Sequence, residues 1–215
     1  MTRQGIDEFV KLLASESHSS HHEQDVQAYL EDNPYLLPGL WDRHNGPIGN
    51  VVVTKPQLGD FEPDFAFVSH TTAEYQYTLI EIEDPCKPIF TKRDNFTQKF
   101  RQAQQQVKDW VGAWDQIEGR LKSIFFPAQE SYSDWKHTYC KGYLVYGRRA
   151  EVESTRTRRE RWSAETGNWG PGAPVEIMTY DRLVEPGPFE VPAAKARLRT
   201  YRYNERILVV VRSEE

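Results

Sequence analysis

Residues 79–90, LIEIEDPCKPIF, set two glutamates at alternate positions of an apolar run and then stop the run with proline. Ile80 and Ile82 are β-branched and suit a pleated, half-buried strand. Side chains two apart on a strand share a face, so Glu81 and Glu83 point the same way, about 6–7 Å apart along the chain. Like charges on one face of a core strand are costly unless something cationic lies between them. Upstream, residues 63–68 (PDFAFV) read as a strand and SHTTAE as a turn. A turn centred between Thr72 and Ala73 places Asp64 opposite Glu81, and opposed residues share a sheet face. Three carboxylates then converge, which repulsion forbids at neutral pH unless a cation compensates or a proton is retained. Oxygen-only donors suit a hard cation, so Asp64, Glu81 and Glu83 are the expected ligands of Mg2+ or Mn2+. The competing reading has Asp64 shaping its turn and both glutamates facing solvent on an edge strand. A register slip of one residue would turn Asp64 to the other face.

These residues need elements to hold them. Phe9, Val10, Leu12 and Leu13 mark a short first helix, and a second runs from about His21 to Asp32 before NPYLLPG breaks it. Residues 48–53 (IGNVVV), 63–68, 75–83, 142–147 (GYLVYG), 175–180 (VEIMTY) and 207–211 (ILVVV) read as strands, and YDRLVE begins a helix or turn. Phe96, Phe100, Ala103, Val107, Trp110, Trp114 and Ile117 recur at spacings of three and four, which predicts one long amphipathic helix. Strands before and after a long helix imply an α/β fold, a mixed sheet with a helical crossover. Gln106 lies beside the apolar stripe, one turn from Trp110, and reaches the rim of the acidic site. Its bland alternative is a solvated glutamine within the run Gln102, Gln104, Gln105, Gln106.

Composition bounds the rest. The chain has 215 residues, enough for one well-packed domain, and its 38% hydrophobic and 13% aromatic content is globular. No apolar run approaches the roughly 20 residues of a membrane helix, and the N-terminus lacks a secretory core. Cys86 and Cys140 make no zinc pattern, so reduced thiols in a cytoplasm are expected. Nothing in the sequence marks Cys86 as a nucleophile. The net charge of −5 conceals asymmetry, because residues 148–161 carry six arginines. Spacing of four pairs Arg156 with Glu160 and Arg161 with Glu165. The same rule leaves Arg148, Arg149, Arg158 and Arg159 uncompensated, and these are the expected phosphate contacts of a nucleic acid.

The proline-aspartate at 63–64, the acids at 81 and 83, and a glutamine with a following aromatic in the next helix together resemble the PD-(D/E)xK nuclease superfamily. EIEDPCKPIF, FRQAQQQVKDW, KGYLVYGR and VEIMTYDRL are, more narrowly, similar to the nuclease domain of the Shedu anti-phage defence family, over about residues 50 to 185. The resemblance implies a restriction-endonuclease-like sheet flanked by helices. Residues 1–47 would form a short N-terminal helical segment packing on the core, and residues 48–215 the nuclease domain. It also implies a Mg2+-dependent endonuclease acting on phage or other foreign DNA, with Asp64, Glu81, Glu83 and Gln106 as the catalytic set. A homo-oligomer is a further expectation, with a free C-terminal strand as its seam. Family members commonly carry an extra N-terminal sensing region, which a chain of this length mostly lacks.

Where the superfamily usually has lysine, this chain has Glu83. A glutamate cannot stabilise developing negative charge, but it can hold a second metal. Lys87, Lys92 or Lys99 would have to supply the ammonium, although solvated surface charge is the plainer expectation for each. Superfamily members often place an acid on the preceding helix, and Glu23 fits. Yet Ser20-His21-His22-Glu23 is also a capping box in which Glu23 answers its own helix start, with His21 and His22 exposed there. The rival function is a catalytically silent binding module on the same fold; an RNA-processing nuclease is a third.

Overall fold

The computed structural model describes residues 3–14, 22–40, 47–127, 136–166, 174–185 and 197–213. Seven strands, β1 (Pro47–Thr54), β2 (Phe65–His70), β3 (Glu74–Ile82), β4 (His137–Val145), β5 (Val175–Met178), β6 (Arg197–Arg202) and β7 (Ile207–Ser213), form one mixed sheet. Their spatial order is β5-β4-β3-β2-β1-β7-β6. The helices are α1 (Arg3–Ala14), α2 (His22–Asp32), α3 (Gln98–Gly112), α4 (Trp114–Phe125), α5 (Arg149–Glu153) and α6 (Arg156–Thr166). Short 3-10 turns occupy Pro34–Leu36 and Tyr180–Val184.

The β2–β3 hairpin has the predicted register. Phe65 faces Ile80 and His70 faces Tyr75, so one further step sets Asp64 opposite Glu81. β3 and β4 then pair in parallel, as do β4 and β5. Parallel neighbours need a crossover of a dozen residues or more, which α3 with α4 supplies once and α5 with α6 again.

β3 is buried on both faces, as a strand covered from two sides must be. Tyr77 and Leu79 pack with Phe100, Val107, Trp110, Ile117 and Leu121 on the α3–α4 face. Ile80 and Ile82 pack with Phe9, Leu13, Val26 and Leu30 of the first two helices on the other. Alternation therefore assigns Glu81 to the α3 side, the face that also carries Ala66 and hence Asp64. Closeness of α3 to the sheet depends on Gly142 of β4. A Cβ there would lie 2.5 Å from Val107 Cγ1 and 3.1 Å from Val111 Cγ2.

Three expectations need correction. The single long helix is two: Ala113 adopts φ −89°, ψ 18°, and its amide bonds back to Asp109 and Trp110. Gly112, a poor helix former, precedes the break. The turn lets Trp110 of α3 and Ile117 and Leu121 of α4 bury against one sheet face. β6 was not foreseen, because its sequence RLRTYR is an arginine-rich edge strand rather than an apolar run. The C-terminal strand is not a free seam either, since β7 lies between β1 and β6.

Gly142→Val should destabilise the protein by roughly 1–3 kcal/mol, the usual cost of overpacking a filled interior. Urea denaturation measures this, and unchanged stability would contradict the close approach of α3 to β4.

Candidate metal centre

Asp64 and Glu81 meet at the C-terminal end of β3, the end of parallel strands where open α/β sheets bind ligands. The three expected carboxylates do not all come within 4.8 Å of one another, because Glu83 turns to Lys87. Asp64 is anchored by the strand it opposes, its Oδ2 accepting the Ile82 N–H at 2.9 Å. Glu81 Oε1 accepts a hydrogen bond from the Gln106 side-chain amide, also at 2.9 Å. Gln106 thus reaches from α3 onto the carboxylate itself rather than dissolving into the glutamine-rich surface. Glu83 is fixed through its backbone. Its N–H donates to Val145 O at 3.1 Å, and its carbonyl accepts the buried Tyr180 hydroxyl at 2.6 Å.

Beyond β3 the chain turns at Pro85 and brings Lys87 back over the acids. Lys87 Nζ donates to Glu23 Oε2 at 2.8 Å and to Glu83 Oε2. Its expected role as solvated surface charge is therefore overturned, whereas Lys92 and Lys99 are exposed. Glu23 also accepts the Asp84 N–H at 3.2 Å. Among the described residues its bonds run across to this turn and not to its own helix start; Ser20 and His21 of the capping pattern lie outside them. His22, expected to be exposed, is 0% accessible, because its ring inserts between α1 and the turn.

The turn is held from the far side by Glu151, whose two carboxylate oxygens accept the Ile89 and Phe90 amides, each at 2.9 Å. Gly147 allows this approach: its φ is +62°, and a Cβ would meet Ile89 at 2.7 Å. Sequence reasoning missed Glu151 and Tyr180. Both act through backbone groups more than sixty residues away, for which no local pattern exists.

Glu23 and Glu83 thus share one ammonium, and Asp64 and Glu81 pair with each other beside them. Burial raises Asp64 from the usual carboxylate range to about 7, assisted by the charges of Glu23 and Glu83 and opposed by the Ile82 amide and Lys55. Burial likewise raises Glu81 to about 9, followed by the charges of Asp64, Glu83 and Glu23 and a hydrogen bond to Asp64. A carboxyl–carboxyl hydrogen bond requires that one partner keep its proton. Burial also raises Glu83, although Lys87 pulls it partly back. For Lys87 burial disfavours the charge, but the bonds to Glu23 and Glu83 outweigh it and hold its pKa above the usual value. Lys87 answers Glu23 and Glu83, leaving Asp64 and Glu81 facing each other with neutral donors only in direct contact. An all-oxygen, over-charged pair of this kind fits a hard divalent cation, which would take the place of the retained proton.

The arginines are more engaged than spacing implied. Arg148 forks onto Asp181 and also reaches Leu13 O at 2.6 Å, Arg149 pairs with Glu185, and Arg158 pairs with Asp94 at 2.6 Å. Among the described residues Arg159 alone of the four has no ion pair. Arg156 and Glu160 form the expected pair at 2.6 Å. Arg161 instead binds Asn95 and the Asp94 carbonyl, and Glu165 takes Arg101 at 2.9 Å. The spacing rule sees one helix only, while Asp94 and Asn95 come from the loop before α3 and Arg101 from α3 itself.

Residues 20–184 match the family described as Shedu protein SduA, C-terminal. No curated protein matches the chain. Among the described residues no helix is long and apolar enough to cross a membrane.

A carboxyl whose folded pKa is raised favours the folded state while protonated. That contribution is full below the ordinary carboxylate range and is lost as pH rises through the folded value. In chelator, the thermal midpoint should therefore fall as pH climbs through about 7 and about 9, the raised values of Asp64 and Glu81. Glu81→Gln should flatten the fall, and Mg2+ should suppress it in the wild type. A midpoint that stays level or rises across this range without metal would contradict the crowded pair.

Proposed function

The chain belongs to the Shedu family, and we propose that it is a metal-dependent nuclease of anti-phage defence, hydrolysing phosphodiester bonds in foreign DNA. The observation that carries this reading is the Asp64–Glu81 carboxyl pair at the end of β3, with the Glu83–Lys87 ion pair beside it. Asp64 and Glu81 would hold Mg2+, or Mn2+ in its place, with Glu83 contributing to the same cluster. The chemistry a bound Mg2+ supplies is charge, which polarises the scissile phosphate and makes water a better acid.

The protein's own groups do the rest. Lys87 brings the ammonium that position 83 lacks, and Glu23 and Glu83 hold it where negative charge develops on the phosphate. Glu83 is thereby a positioning residue for Lys87 as well as an acid of the cluster. Gln106 orients Glu81 and presents an amide at the rim. Phosphates of the duplex would approach across Arg149, Arg159 and Arg182, which line a surface depression beyond the ends of β4 and β5. Arg148, locked onto Asp181, shapes that surface more than it binds.

A digestion panel of supercoiled plasmid, linear DNA and RNA across divalent ions tests the proposal. Asp64→Ala and Glu81→Ala should reduce Mg2+-dependent cleavage to background. Lys87→Met should lower the rate by about 10²–10³, the usual loss for one electrostatic donor. Cleavage that persists in Asp64→Ala would overturn the site assignment. Absence of Mg2+ and Mn2+ uptake by calorimetry would favour a silent binding module, and preference for RNA would reassign the substrate.

A further inference from the structure

Beside the carboxylates lies a second cluster of different chemistry, built from His22 at the start of α2 and from Asp84 and Cys86 in the turn after β3. His22 Nδ1, one Asp84 carboxylate oxygen and Cys86 Sγ all lie within 4.8 Å of one another. We propose that these three side chains bind a single Zn2+ ion and so clamp α2 to the turn that carries Lys87. This site is separate from the all-oxygen cluster and stands whether or not the nuclease reading holds.

Distances support it. Nδ1 is 3.1 Å from Asp84 Oδ1 and 3.5 Å from Cys86 Sγ. Tetrahedral zinc, with Zn–N and Zn–O about 2.0–2.2 Å and Zn–S about 2.3 Å, separates its ligand atoms by roughly 3.3–3.6 Å. Both separations from Nδ1 lie close to those edges, and the Asp84 oxygen and Cys86 Sγ lie within 4.8 Å of each other.

The second observation is the buried ring itself. His22 has no accessible surface, and both its nitrogens face oxygens: Nε2 lies 3.2 Å from Leu12 O, and Nδ1 faces Asp84. A neutral imidazole has one N–H to give. Given to Leu12, it leaves the Nδ1 lone pair pointing at a carboxylate, and a cation between them turns that repulsion into coordination. A ligand histidine that donates its other N–H to a carbonyl is the usual outer arrangement of zinc sites. Asp84 is steadied by the Cys86 N–H at 2.8 Å, and Cys86 is exposed, which supplies an entry path. A nitrogen, sulfur and oxygen donor set selects zinc over magnesium, so the two clusters need not compete. Because His22 precedes Glu23 and Cys86 precedes Lys87, such a clamp would set the position of both partners of that ion pair.

The test uses the full chain, purified without a histidine tag and stripped with chelator, and adds Co2+ as a spectroscopic stand-in for Zn2+. One Co2+ per chain should bring tetrahedral visible bands and a thiolate charge-transfer band in the wild type. Both should appear equally in Asp64→Ala, vanish in Cys86→Ser, and be displaced by Zn2+. Zn2+ should raise the thermal midpoint of the wild type and of Asp64→Ala but not of Cys86→Ser. Affinity in Cys86→Ser should fall by more than the roughly 10–100-fold that loss of an outer partner costs. Circular dichroism checks that Cys86→Ser, a change at an exposed position, remains folded. Absence of a cobalt–thiolate band in the wild type would overturn the proposal and leave His22 simply hydrogen-bonded to Asp84 and Leu12. Bands unchanged by Cys86→Ser would overturn it as well.

Discussion

Carboxyl groups repel one another most where water is least able to screen them, and β2 and β3 bring two of them together at their common end. Burial drives both Asp64 and Glu81 toward their protonated forms, and the charge of Asp64 adds to that drive at Glu81. The sheet register leaves no other outcome, because residues opposite each other on neighbouring strands cannot turn to different faces. Everything nearby responds to that crowding. The Ile82 amide and the Gln106 side chain donate to the acids, and Lys87 absorbs the charge of Glu83 and Glu23. The remaining deficit of positive charge is confined to the Asp64–Glu81 pair.

The fold is arranged so that those responses arrive from independent directions. α3 brings Gln106 because Gly142 lets the helix sit close on β4. The turn after β3 brings Lys87 because Glu151 takes the Ile89 and Phe90 amides and Gly147 leaves room for them. α2 brings Glu23 from the opposite face of the sheet, past the end of β3, with Val26 and Leu30 anchoring it in the core. Tyr180, fully buried, ties Glu83 to the segment following β5. Apart from the α2 contact, these join parts of the chain that a parallel sheet necessarily separates in sequence. Local unfolding of either crossover would therefore release a group from the site.

Lysine placement illustrates how tertiary structure brings an ammonium to a place that no local repeat assigns it. An ammonium two residues after Glu81 on the same strand would share its face automatically. This chain has Glu83 there, and the ammonium comes from Lys87, four residues on and outside the strand. Ion pairing of Lys87 with two acids holds its position, in place of the strand geometry that would otherwise have done so. The adjacent His22, Asp84 and Cys86 show the same logic, since a helix start and a turn meet only because the helix and the sheet pack.

Much of this was legible in order. Alternating apolar residues around Glu81, the turn at Thr72–Ala73 and the spacing of three and four from Phe96 to Trp110 report local periodicities, and they yielded the hairpin register, the acid pair and the face of α3. The helix break at Ala113, the burial of His22 and the partners of Arg148, Arg149 and Arg158 were not legible, because each depends on which distant element lies alongside. By itself, then, the order of residues determined which side chains share a strand face or a helix stripe, since those relations follow from backbone repeat alone. Only packing decided that Lys87 and Glu23 close over the acids and that Glu151 and Tyr180 hold the turn. Contacts across sixty or more residues are chosen by the burial of the whole core, and no local repeat encodes them.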